Sequence, residues 1–399
     1  MPHLPASHAG RLPGAAVAQG GAAFRLFWGI GLLALVLNLG QVFNLGNINA
    51  IEKLLLLIAA LAYLRHKPIA PAAAWGVALI LLAVLVPGAL TSFPAFTWER
   101  VLLALLALLA LLGFLLAPPT PSERSLMLVS IAWLPALVLG YGLLLNVSIG
   151  RPLFMVDHTG STRLGGATFP AFLAAACYAS AIASALLYAQ RRHPLYLMLA
   201  ASSLAVCTLS GTRMPTACAT ASTALILLFA MRHAGARLAL MAGGLLIGSV
   251  FLLTAGDQIL RRIQSGSSSG RDQIWSALAR WSDLYPYTGI GFGGHSFVIP
   301  YAISRQTSTS AAHNEYLRLL VELGYPGEAV FLAGLLLIFV AALRAPGAAG
   351  RCCCLAVLAL YFLYAATDNV LYLSYTLFIP LALSLGSPFL GAQGDGRAA

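Results

Sequence analysis

Apolar runs of about 16 to 23 residues recur along this 399-residue chain, separated by short polar or basic connections. Each is long enough, or nearly so, to cross a hydrocarbon core of roughly 30 Å as a helix. Helices are favoured over a barrel because unpaired amides in lipid cost several kcal/mol each, and the alternating pattern of a barrel strand is missing. With 60% hydrophobic and 9% charged residues, the composition excludes an ordinary soluble domain. The expected fold is all-α: a polytopic membrane protein of about twelve transmembrane helices, with one long loop carrying short amphipathic helices.

The runs place spans at about 25–45, 49–64, 69–90, 100–117, 125–147, 167–190, 194–211, 214–231, 238–256, 326–344, 352–367 and 370–387. Basic connections at Arg65 to Lys67, Arg191 to His193, Arg232 to Arg237 and Arg344 to Arg351 fall on one side if the N-terminus is cytoplasmic. The expected organisation is then a cytoplasmic tail (1–24), nine spans (25–256), a periplasmic loop (257–325), three spans (326–387) and a cytoplasmic tail (388–399). The first residues lack the order of a signal peptide. All six cysteines lie within expected spans and read as small apolar residues, with neither disulfide nor metal expected.

That topology leaves arginines where the positive-inside rule does not want them. Long loops escape the rule, which covers Arg261, Arg262, Arg271, Arg280, Arg305 and Arg318. It does not cover Arg163, in Thr162-Arg163-Leu164-Gly165-Gly166, or Arg213, in Thr208-Leu209-Ser210-Gly211-Thr212-Arg213. An arginine beside the apolar zone usually faces a polar cavity and its ligand; pairing with Asp157 or Asp368 is the structural alternative for Arg213.

Within the loop, Ser269 followed three residues later by Asp272 predicts a helix beginning near Gly270, with Arg271, Trp275 and Leu278 on one face and Arg280 pointing away. Gly289, Gly291 and Gly294 formally match a dinucleotide fingerprint, but no strand precedes them. They read better as a tight turn that lets backbone approach a substrate or a neighbouring helix. From His313 to Gly324 the period is helical, with Glu315, Arg318 and Glu322 on one face. Ser310 is the expected N-cap, which would put His313 in the first turn, where the helix dipole opposes positive charge and suits a general base. A histidine that closes the loop on a carbonyl is the alternative, and His158 is a weaker candidate.

Guanidinium forks at an outer surface match phosphate oxygens. The outward carboxylates are scattered, without the cluster a Mg²⁺ site needs. No cofactor and no nucleic-acid partner are expected. One histidine base and an arginine clamp suffice for transfer from a donor already activated and lipid-linked, and a single base would invert the reacting centre.

The string His313-Asn314-Glu315-Tyr316-Leu317-Arg318-Leu319-Leu320-Val321-Glu322-Leu323-Gly324-Tyr325-Pro326-Gly327 resembles the signature of the O-antigen ligase and polymerase superfamily. So do Ser269-Gly270-Arg271 with Trp275, the Gly289 to Gly293 turn, Leu209 to Arg213 and Arg163 to Gly166. The resemblance implies an inner-membrane glycosyltransferase that moves polysaccharide from undecaprenyl pyrophosphate to a lipid A–core acceptor on the periplasmic side. It implies His313 as the catalytic histidine, Arg213, Arg271 and Arg163 as pyrophosphate ligands, and Asn314 and Asp368 as supporting residues. A glycan polymerase and a protein O-oligosaccharyltransferase use the same donor. A flippase for an anionic lipid is the alternative of another class, and it would call for charge reaching the cytoplasmic half.

Overall fold

The computed structural model describes residues 14–43, 49–156, 160–231, 233–235, 237–238, 242, 270–307, 309–371 and 374–390. It is an all-α bundle. Eight of the described helices are long and apolar enough to cross a membrane. The first half contains α1 (Gly14–Leu37), α2 (Leu39–Val42), α3 (Asn49–Leu64), α4 (Pro71–Leu90), α5 (Trp98–Leu112) and α6 (Pro121–Ile149). After a short hairpin come α7 (Pro170–Arg191), α8 (Pro194–Leu209) and α9 (Arg213–Ala230). The polar stretch holds α10 (Arg271–Leu284) and α11 (Tyr301–Thr307), and the chain returns through α12 (Glu315–Ala342), α13 (Gly347–Ala365) and α14 (Ser374–Gly386). A described helix thus lies at each expected span except 238–256, which apart from residues 238 and 242 falls outside the described residues, as do Asp157, His158 and Ser269.

Helix ends follow local chemistry. Thr120 and Glu123 form a reciprocal capping box at the start of α6, with Pro121 at the first helical position. At its other end Gly150 adopts φ 70°. The bundle is centred on α7, about 33 Å of helix in which 16 of 22 residues are buried. Its run of alanines and serines makes that possible, because small side chains let neighbours approach and lipid offers no hydrophobic drive to pull helices together. The Ser180 hydroxyl donates to the Ala132 carbonyl at 2.6 Å, and the Tyr178 and Ser222 hydroxyls lie 2.9 Å apart. Between α4 and α12, Gly76 faces Gly334 so closely that a Cβ on Gly76 would sit 2.7 Å from the Gly334 carbonyl oxygen.

The connections sort to two ends. At one, Lys67 pairs with Glu123 at 2.5 Å, the Arg192 guanidinium donates to the Ala230 carbonyl at 2.7 Å, and the Arg344 amide donates to Ser387 at 2.9 Å. These are the basic connections that oriented the sequence. At the other end lie the connections 91–97, 150–156 with 160–169, 210–212 and 366–371 and the polar stretches 270–307 and 309–314. There the β-hairpin, Phe154–Val156 with Thr162–Leu164, pairs antiparallel with Met155 opposite Arg163. Three-residue strands are too short to leave a periodic pattern, and the sequence had not suggested them.

The Gly289–Gly294 turn takes the second of its two expected roles, approach to a neighbouring helix. The amides of Ile290 and Gly291 donate to the carbonyls of Val321 and Glu322 at 2.9 and 3.0 Å, and Tyr325 donates back to Pro286 at 2.8 Å. Strand-like pairing of a loop with a helix requires the helix to open, and α12 does so at Gly324, with φ 68° and ψ 172°. The loop helix and the tenth span are therefore two helical segments joined at a kink at Gly324, as the sequence reads them.

Candidate functional site

The predicted residues gather into two groups at the loop end of the bundle. In the first, Arg213 is the opening residue of α9, exposed, behind a turn in which Gly211 adopts φ 68° and the Ser210 hydroxyl donates to the Cys207 carbonyl at 2.6 Å. Arg163 reaches this turn from the hairpin. Its side chain crosses Gly211 so closely that a Cβ there would sit 3.1 Å from the Arg163 Cγ. Arg163 thus packs on the turn that leads directly into Arg213.

The second group forms around residues 366–371, between α13 and α14. Arg271, the first residue of α10 and half-buried, directs Nη1 toward the Thr367 carbonyl at 3.4 Å. His313 brings Nδ1 to 3.4 Å from Oδ1 of Asp368, within ion-pair reach but beyond an ordinary hydrogen bond. Asp368 is held from two further directions: the Tyr364 hydroxyl donating to Oδ2 at 3.0 Å, and the Asn369 amide donating to Oδ1 at 2.9 Å. Burial pushes the Asp368 carboxyl up, but His313, the Asn369 amide and Tyr364 outweigh it and hold it below its ordinary value of 3.8. Of the two carboxylates the sequence offered to Arg213, Asp368 faces His313 and Asp157 lies outside the described residues.

The cap of α12 differs from the expectation. Asn314, not Ser310, is the N-cap, its Oδ1 accepting from the Leu317 amide at 3.1 Å. His313 precedes the helix in the left-handed region at φ 49°, a conformation that is uncommon for a residue other than glycine and that clusters at functional sites. The segment is secured on both sides. Trp275 of α10 donates its indole N–H to the Ala312 carbonyl at 2.8 Å, and the Tyr316 hydroxyl donates to the Phe362 carbonyl of α13 at 2.9 Å. As expected, α10 buries Leu278, half-buries Arg271 and Trp275, and exposes Arg280.

Directly behind His313 lies a charged cluster that sequence reasoning did not assemble. Arg318, only 1% exposed, donates Nε to Glu315 Oε1 at 2.9 Å and Nη1 to Glu322 Oε2 at 2.5 Å, with Nη2 also on Glu315. His295 completes it, with Nδ1 2.6 Å from Glu322 Oε1. The charged face of α12 thus points inward, because its ions neutralise one another where no water reaches them. The spacing of Glu315, Arg318 and Glu322 announces a shared face, but nothing near Gly294 marks His295 as their partner. Among the described residues, no three His, Cys, Asp or Glu side chains gather at metal-ligand spacing.

Residues 197–332, from the start of α8 to the middle of α12, match the family model described as O-Antigen ligase, Wzy_C. No curated protein matches the chain. The matched segment contains Arg213, Arg271, His313 and the glycine turn, and it supports membership of the O-antigen ligase superfamily.

Proposed function

We propose that this chain, which carries an O-antigen ligase domain at residues 197–332, transfers polysaccharide from undecaprenyl pyrophosphate to a lipid A–core sugar at the periplasmic face of the inner membrane. The observation that carries the reading is the convergence of His313, Asp368 and Arg271 on the 366–371 connection. With Nδ1 turned to Asp368, His313 keeps Nε2 for the hydroxyl of the acceptor sugar, and the carboxylate favours the imidazolium as the proton arrives. The acceptor oxygen bonds to the anomeric carbon as the bond to the pyrophosphate oxygen breaks, and the configuration inverts. Arg271, with Arg213 and Arg163 across the Gly211 turn, neutralises the departing pyrophosphate, work for which a guanidinium fork is suited. Asn314 caps the helix that carries the base. The reading needs no metal.

The test is transfer in vitro with purified protein, lipid-linked glycan and three competing acceptors: lipid A–core, a glycan repeat and a protein serine. Wild type is expected to label lipid A–core, in EDTA as without it, and His313→Ala to lose on the order of 10²-fold or more in rate while still binding donor. Full activity of the His313→Ala protein, or activity that EDTA removes and Mg²⁺ restores, refutes this mechanism, and labelling of another acceptor reassigns the activity.

A further inference from the structure

The carboxylate beside His313 is fastened to the end of α13 by one residue. Tyr364, fully buried in the last turn of that helix, holds the connection that follows with both of its polar groups. Its carbonyl accepts from the Thr367 amide at 2.9 Å and from the Thr367 hydroxyl at 3.0 Å, and its hydroxyl donates to Asp368 Oδ2 at 3.0 Å. Beyond Asp368 the connection is pinned again, where the Tyr361 and Thr376 hydroxyls both donate to the Val370 carbonyl. The carboxylate thus takes a donor on each oxygen, Tyr364 on Oδ2 and the Asn369 amide on Oδ1, and stands 3.4 Å from the imidazole. A donor on a carboxylate stabilises its charge. The more of that charge fixed donors satisfy, the less strongly the carboxylate draws a proton onto a neighbouring base.

We infer that Tyr364 is a positioning residue, its hydroxyl restraining the Asp368 carboxylate and moderating its pull on His313, so that the imidazole can give up its charge and act as a base. This assignment rests on the reading of His313 as the base. Facing Asp368 are His313 ahead of α12 and Tyr364 of α13, with Arg271 of α10 on the adjoining Thr367 carbonyl. Glu315 of α12 lines the same small cavity as Tyr361, Val370 and Leu371. Beside Tyr364 itself stand Tyr178 of α7, 6.2 Å away between ring centres, and Cys207 of α8.

The test is the pH profile of kcat/KM in the transfer assay, whose acid limb reports the base of the free enzyme. Tyr364→Phe keeps the ring and the carbonyl that holds Thr367, and removes one donor from Asp368. The carboxylate then pulls harder on the imidazole, so the acid limb should move up by roughly half a unit, a roughly threefold slower reaction on the limb, with the alkaline plateau close to wild type. Tyr364→3-fluorotyrosine, a stronger donor of nearly the same size, should move the limb down, and it keeps the question answerable if Tyr364→Phe does not fold. Added to Asp368→Asn, Tyr364→Phe should shift the limb no further, because the charge it acts on is gone. Tyr361→Phe, which removes a hydroxyl from the Val370 carbonyl, should leave the limb in place. A Tyr364→Phe protein slowed equally at every pH, a limb that moves down, or a Tyr361→Phe protein whose limb moves as far would overturn the assignment. His313→Ala is run in parallel: activity there fails the base reading, whereas inactivity with a limb indifferent to the changes at Tyr364 fails only the role of Tyr364.

Discussion

At the scale of single residues, Asp368 is where electrostatics and geometry coincide. Its carboxyl is held below 3.8, so it stays ionised across the neutral range and titrates only in acid. A depressed folded value stabilises the protein fully above 3.8, and that contribution is lost as the pH falls through the lower, folded value. Thermal unfolding of wild type and Asp368→Asn should therefore differ at pH 6 to 7 and converge in acid below 3.8. A gap that persists unchanged to pH 2 would deny the ionic partnership. The sequence made His313, Arg271 and the arginines of two short motifs legible, because each is a charge or an imidazole where hydrophobic patterning forbids an idle one. It could not make the His313 and Asp368 pair legible, since the partners are far apart in the chain and meet only through α13. Nor could it choose between Ser310 and Asn314 as the cap. Both are good cap residues, and the choice depends on His313 adopting a positive φ that no pattern announces.

Among the elements, the glycine turn and the break in α12 form one joint. A Cβ on Gly289 would sit 2.3 Å from the carbonyl oxygen of Glu322, and φ there is 61°. Gly289→Ala should consequently displace the turn from α12, loosen the lid over His295 and Glu322, and lower thermal stability by roughly 1–3 kcal/mol, the usual cost of overpacking. Gly21→Ala, where an added Cβ meets nothing within 4 Å, is the control and should be neutral. Equal stability of the two variants would show that the joint is slack. Run length alone located the helices, since lipid demands it. The hairpin under Arg163 and the inward charged face of α12 escaped notice because tertiary pairing decides them, through backbone bonds and ion pairs between segments with no local signature.

Across the whole molecule, polarity is segregated: basic connections at one end, and at the other the arginines, His313 and Asp368. In oriented vesicles, cysteine introduced at exposed Ser276 on α10 should react with a membrane-impermeant maleimide from the periplasmic side only, in a background with Cys352 replaced. Labelling from the cytoplasmic side would invert the topology that the basic residues imply. The placement of Asp368 ahead of α14 also bears on biogenesis. The imidazole leaves the ribosome dozens of residues before the carboxylate that orients it, and the two can meet only after α13 has been inserted and α14 has followed to hold Val370. An unfinished chain thus lacks the pair, and under the proposed mechanism it stays inert until α14 is in place.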